Sequence, residues 1–126
     1  MKIEHVALWV RDLERMKAFY ETYFGCVAGV KYVNEKKNFQ SYFLSMGDGP
    51  RLELMFKSDV TELGTREIIG MAHLAISVGG CEKVDLLTHR FREAGYKVIG
   101  EPRITGDGYY ESVILDPEGN RVEITS

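Results

Sequence analysis

Proline and cysteine are scarce in this chain of 126 residues, which carries 3 of the first and 2 of the second. So few prolines exclude a proline-rich linker or a polyproline repeat. Cys26 and Cys81 form no CxxC or other metal-ligand spacing, and two thiols cannot make a disulfide framework. Both are expected to be reduced, structural residues. No apolar run approaches the roughly 18 residues that a membrane helix needs. Positive charge is not in excess either. The net charge is −3, which removes the electrostatic footprint expected of a nucleic-acid binder. The opening Met1-Lys2-Ile3-Glu4-His5 places charge where a signal peptide needs an apolar stretch, so a cytoplasmic location is expected. What remains is the composition of a soluble globular protein, 44% hydrophobic and 28% charged, long enough for one compact unit or two small modules.

The chain repeats itself. Glu4-His5-Val6-Ala7-Leu8-Trp9-Val10 returns as Ala72-His73-Leu74-Ala75-Ile76-Ser77-Val78, with the two histidines 68 positions apart (73 minus 5). A second phrase, Arg51-Leu52-Glu53-Leu54, returns as Arg121-Val122-Glu123-Ile124. Each half thus opens on a histidine and closes on a glutamate inside strand-like alternation.

Local patterning fills in the elements between them. Residues 2–10 alternate with period two, so that Ile3, His5, Ala7 and Trp9 share one face and Val6, Leu8 and Val10 the other. The aliphatic face suits packing on a helix, and the His5 face suits a pocket wall. Asp12 can cap a helix in which Leu13, Met16, Phe19, Tyr20, Tyr23 and Phe24 form an aromatic stripe; core packing explains that stripe better than a ligand box does. Gly25 is placed to stop it. Strands are expected over 27–33, 39–46 and 51–56, with a polar turn at 34–38 and a Gly-Asp-Gly-Pro turn at 47–50. Residues 58–70 read as a linker along the surface, anchored by Leu63, Ile68 and Ile69. The second half repeats the order. It has a strand over 71–78 and then a helix with Val84, Leu87, Phe91 and Ala94 on one face, ended by Gly95. Strands follow at 96–100, 109–115 and 121–125, with a loop at 101–108 and a turn at 116–120. Module one spans 1–57 and module two 71–126, each β-α-β-β-β. His89 has no counterpart in the first half and reads as a surface residue.

Two imidazoles and two carboxylates can hold one divalent cation and leave positions for water or substrate. If the first and last strands of each module are neighbours, each histidine lies beside the glutamate of its own half. Taken singly, each residue has a blander account. A strand histidine is commonly just hydrogen-bonded, and Glu53 and Glu123 could face solvent. Arg51 and Arg121, repeated with them, could make the Arg-x-Glu phrase a structural ion pair. Spacing alone leaves both readings open.

The duplicated β-α-β-β-β with His5, Glu53, His73 and Glu123 resembles the vicinal oxygen chelate superfamily, and within it the glyoxalase I family. The likeness covers essentially the whole chain. It includes the opening His-x-Ala-Leu-x-Val phrase with Asp12-Leu13, Ala18-Phe19-Tyr20, Phe24-Gly25, Gly70-Met71-Ala72-His73-Leu74-Ala75 and Asp116-Pro117-Glu118-Gly119. The resemblance implies an α+β fold, two tandem βαβββ modules forming curved, cup-shaped mixed sheets. It implies one divalent metal held by His5, Glu53, His73 and Glu123, nickel or cobalt being favoured and zinc admissible. It implies a metal-dependent lyase or isomerase that acts on a vicinal-oxygen substrate such as a methylglyoxal–thiol hemithioacetal. Glu123 is then the base and Glu53 its counterpart. A homodimer is also implied, with a site built within one chain or by His5 and Glu53 of one chain with His73 and Glu123 of another. The chain departs from the family at Trp9, where an Arg that contacts glutathione is expected, and at Lys57, in place of an Asn. Both are expected to line the substrate pocket. The stretch 106–111, with Tyr109 and Tyr110, differs as well. An epimerase, an extradiol-type dioxygenase or a non-catalytic binding protein on the same scaffold are the alternatives.

Overall fold

The computed structural model of the protein describes residues 3–62, 69–106 and 108–126. The chain divides into two compact units, Met1–Leu63 and Gly64–Ser126. Each has one α-helix and one mixed sheet, of five strands in the first and four in the second, among the described residues.

The first unit runs β1 (His5–Trp9), α1 (Leu13–Phe24), β2 (Val27–Ala28), β3 (Tyr32–Asn34), a 3-10 turn (Glu35–Lys37), β4 (Phe39–Ser45) and β5 (Arg51–Lys57). Asp12 starts the helix by accepting a hydrogen bond from the Arg15 N–H at 2.9 Å. Gly25 ends it in the left-handed region at φ 65°, where its N–H reaches the Glu21 carbonyl and the next N–H, of Cys26, reaches Tyr20. The sheet order is β1-β5-β4-β2, with β3 also on β4. β1 and β5 run parallel, Val6 beside Leu52 and Leu8 beside Leu54. Leu52, Leu54 and Leu44 are buried together with Leu13, Met16, Phe19 and Tyr20 of the helix. Fully burying one such apolar side chain stabilises a fold by about 1.5–3 kcal/mol. The stripe is core at Leu13, Met16, Phe19 and Tyr20 and half-buried at Tyr23 and Phe24.

The second unit runs β6 (Leu74–Ser77), α2 (Cys81–Glu93), β7 (Val98–Ile104), β8 (Tyr110–Leu115) and β9 (Arg121–Thr125), in sheet order β6-β9-β8-β7. β6 and β9 are again parallel, Leu74 beside Val122 and Ile76 beside Ile124. Val84, Phe91, Ile114, Val122 and Ile124 are buried. Asp116, only 4% exposed, accepts from the Glu118 and Asn120 N–H groups and from the Asn120 side chain, so the 116–120 turn is tied by one buried carboxylate.

Five sequence expectations change. The strand expected over 27–33 breaks into β2 and β3: from Ala28 to Tyr32 takes four steps, while their partners Leu44 and Ser41 are three apart, so one residue is extra. His73 lies just before β6 and not inside a strand. β7 continues to Ile104 through the expected loop at 101–108. It is an edge strand whose register shifts on either side of Gly100, and an edge tolerates Pro102, which lacks an N–H. A Cβ at Gly100 would lie 3.0 Å from a Val113 methyl and 3.1 Å from the Arg103 guanidinium. On α2, Thr88 is buried and Ala94 exposed. The Thr88 hydroxyl sits 2.6 Å from both the Val84 carbonyl and the Ser112 hydroxyl, which is how a polar residue enters the core. Of the expected linker anchors, Ile69 is fully exposed, while Leu63 and Ile68 lie outside the described residues, as does Asp107.

Candidate functional site

Parallel pairing decides which side chains meet. Ala7 on β1 lies opposite Glu53 on β5, so His5, two residues earlier on the same face, is diagonal to Glu53. Ala75 on β6 lies opposite Glu123 on β9, and His73 is two residues before it. The two units therefore build the same diagonal. His5 Nε2 is 3.8 Å from a Glu53 oxygen, and His73 Nε2 is 3.2 Å from a Glu123 oxygen. Both carboxylates are tucked into the sheet face, 13% and 20% exposed, while the imidazoles stand 40% and 41% exposed.

This face turns away from the helix in each unit, because Leu52 and Leu54 in β5, and Val122 and Ile124 in β9, alternate with the glutamates and are buried. A polar pair there is open to a ligand.

The donor chemistry fits a divalent cation. Nitrogen and oxygen donors bound at about 2.0–2.2 Å to one ion stand about 3–3.5 Å apart. The second pair already meets that separation and the first needs a few tenths of an ångström. Each pair supplies two donors. No group of three or more His, Cys, Asp or Glu side chains placed to hold a metal occurs among the described residues.

The surroundings of the two histidines differ. Glu4 makes a short contact with His5 Nδ1, and accepts from Arg51 Nε at 3.0 Å. Hydrogen bonds from His5 and then Arg51 hold the Glu4 carboxyl below its usual range. Arg51 also lies over the Phe43 ring at 4.2 Å, and Phe43 meets the His5 ring edge-on at 5.2 Å. Arg51 is thus the ion-pair partner its repeat suggested, but of Glu4. In the second unit, among the described residues, only Glu123 pairs with His73.

Trp9 and Lys57 lie further along the same face of the first unit. Trp9 is 46% exposed and meets Phe39 edge-on at 6.1 Å; Phe39 in turn lies 6.0 Å from Tyr32. Phe39 is opposite Lys57, whose ammonium is 2.7 Å from Asp59. The charge of Lys57 is therefore committed to a neighbour. The corresponding row of the second unit, Ser77, Thr125, Glu111 and Arg103, is polar. There Arg103 reaches the buried Glu111 at 3.3 Å, and the Thr125 hydroxyl is buried without a hydrogen-bond partner among the described residues.

Sequence reasoning missed Glu4, Phe43, Glu111 and Thr125. Glu4 carried a signal, since it adjoins His5 at a position held by Ala72 in the repeat. The others depend on strand register. His89 is exposed and faces Glu93 across one helical turn at 3.4 Å, Cys26 is buried and Cys81 exposed. No helix of the described residues is long and apolar enough to cross a membrane.

Comparison with known proteins adds to this geometry. The model of the Glyoxalase/Bleomycin resistance protein/Dioxygenase superfamily matches residues 2–124. A search of curated proteins gave no match. Among solved structures, the fold is similar to the trypanothione-dependent glyoxalase I of Leishmania major, with TM-score 0.81, 23% identity and coverage of 100% of this chain and 86% of that one. It is similar to a possible glyoxalase from Bacillus cereus, with TM-score 0.75, 26% identity and coverage of 100% and 99%. Glyoxalase I from Zea mays gives TM-score 0.77 at 24% identity, over 98% of this chain and 44% of that one.

Proposed function

The chain belongs to the glyoxalase/bleomycin resistance protein/dioxygenase superfamily, and from that premise we propose that it is a metal-dependent lyase or isomerase of glyoxalase I type. Its substrate would be a small compound with vicinal oxygens, such as a methylglyoxal–thiol hemithioacetal. The observation that carries the proposal is the repeated diagonal, with His5 beside Glu53 and His73 beside Glu123, each imidazole Nε2 directed at a carboxylate on an open sheet face.

In this reading the four side chains would hold one divalent cation, nickel or cobalt by preference and zinc as an alternative. The cation supplies Lewis acidity toward the substrate's vicinal oxygens. The proton work falls to the protein. Glu123 takes the proton from one carbon and returns it to the adjacent carbon, a shift that leaves the atoms of the substrate in balance; Glu53 is its counterpart. Trp9 and Lys57 line the pocket. With Trp9 in place of a guanidinium fork, and with Lys57 paired to Asp59, this wall offers little to a carboxylate, which favours a thiol other than glutathione.

We take residues 1–126 as one functional domain, with modules at 1–57 and 71–126 joined by 58–70, acting as a homodimer. The setting we propose is cytoplasmic, where Cys26 and Cys81 would stay reduced.

The test is turnover of the hemithioacetal of methylglyoxal, formed with glutathione and with other thiols, on protein stripped of metal and reloaded with nickel, cobalt, zinc or manganese. Thioester formation that depends on the metal supports the proposal. Stoichiometric metal without turnover of any adduct overturns the reaction while leaving the donor set standing. Absence of metal uptake overturns both and favours a binding protein.

A further inference from the structure

We infer that Glu4 is a positioning residue that orients the His5 imidazole so that Nε2 faces Glu53. The inference rests on the donor set proposed above and concerns a residue outside it.

Four side chains close a ring on the first unit. The Glu4 carboxylate touches His5 Nδ1 and accepts from Arg51 Nε at 3.0 Å; Arg51 covers the Phe43 ring at 4.2 Å; the edge-on contact of Phe43 with His5 closes the circuit. The backbone fastens the same corner, because the Arg51 N–H donates to the Glu4 carbonyl at 3.0 Å. An imidazole with one nitrogen engaged by a carboxylate has its tautomer and its ring plane set, and the other nitrogen becomes the free donor. For His5 that free donor is Nε2, on the Glu53 side.

The second unit lacks the device. Ala72 stands where Glu4 does, one residue before the histidine, and Val113 faces Glu123 as Phe43 faces Glu53. Arg121 keeps the place of Arg51. The ring is therefore a property of one half of the donor set. An ion pair as exposed as this one adds little to folding, so the consequence of the Glu4 contact falls on orientation more than on stability.

The experiment compares wild type with Glu4→Ala and Glu4→Gln by two readouts. The first is nickel affinity, measured by competition against a chromophoric chelator. The second is the His5 tautomer in metal-free protein, read from nitrogen-15 imidazole shifts. Glu4→Ala is expected to weaken nickel binding about tenfold or more and to mix the two tautomers at His5 while leaving His73 unchanged. Glu4→Gln, whose amide oxygen can still accept from Nδ1–H, should recover part of both. Wild-type binding together with unchanged affinity and an unchanged tautomer in a folded Glu4→Ala overturns the role of Glu4 alone. A wild type that takes up no nickel overturns the donor set, and with it any metal-positioning role for Glu4.

Discussion

Met16, Phe19 and Tyr20 fill the helix face of the first unit, where the second places Val84, Leu87 and Thr88 at the same distance past its first histidine. On the opposite face of the sheets, Trp9, Met55, Ser41 and Tyr32 form a row in the first unit that Ser77, Thr125, Glu111 and Arg103 form in the second. The strand order and the His–Glu diagonal are shared by both. The first unit carries its aromatic surface on both faces. The second buries hydroxyls under its helix and charge on its open face. A repeat can thus keep one diagonal fixed while many of its neighbours diverge, because the diagonal follows from the parallel register between the first and last strands.

That contrast can be broken at several points. The largest effect is expected at the chemistry: Glu123→Gln should lower hemithioacetal turnover about 10²–10⁴-fold with unchanged circular dichroism. Glu53→Gln should cost less, and equal losses would erase the distinction between the units. Next comes the core. Tyr20→Ala removes a fully buried ring and should cost about 3–5 kcal/mol in urea unfolding. Thr88→Val should cost about 1–3 kcal/mol, since it strands the Ser112 hydroxyl. If the threonine costs more than the tyrosine, the hydroxyl pair is the stronger fastening. A smaller and opposite effect is expected of Ala72→Glu, which places a carboxylate before His73 and near Arg121. Nickel affinity should rise, by up to about tenfold, in the same chelator competition; no change would mean that Phe43 is indispensable to the ring.

The smallest effect is confined to alkaline pH. Burial pushes the Cys26 thiol from its ordinary 9.0 up to about 11. The folded state therefore holds that proton more tightly than the unfolded state. Its contribution is intact below about pH 9 and is lost as pH rises toward about 11. Urea midpoints should fall over that window in wild type and less so in Cys26→Ala. At neutral pH the exposed Cys81 should alkylate well before Cys26.

Much of this was legible in the residues. Asp12 and Gly25 mark the ends of α1, because a carboxylate cap and a left-handed glycine are local chemistry. Glu53 and Glu123 announce their faces by alternating with buried aliphatics. His73 was harder. Its strand begins one residue later, since ladder hydrogen bonds and not side-chain alternation decide where pairing starts. β7 was hidden by Pro102, which reads as a loop until the strand is known to be an edge.

The repeat, the helix limits and the faces of Glu53 and Glu123 can be read from the chain alone, because they follow from a recurring phrase, from periods of two and of about 3.6 and from capping groups. Strand pairing in three dimensions is what sets β1 against β5, and β6 against β9, in a register that places each histidine diagonal to its glutamate. It also brings Glu4 and Arg51 together around His5 and buries Glu111 beside Arg103. Those are distances between side chains up to about fifty residues apart in the chain, and a distance across strands has no expression in one-dimensional pattern until the strands are paired.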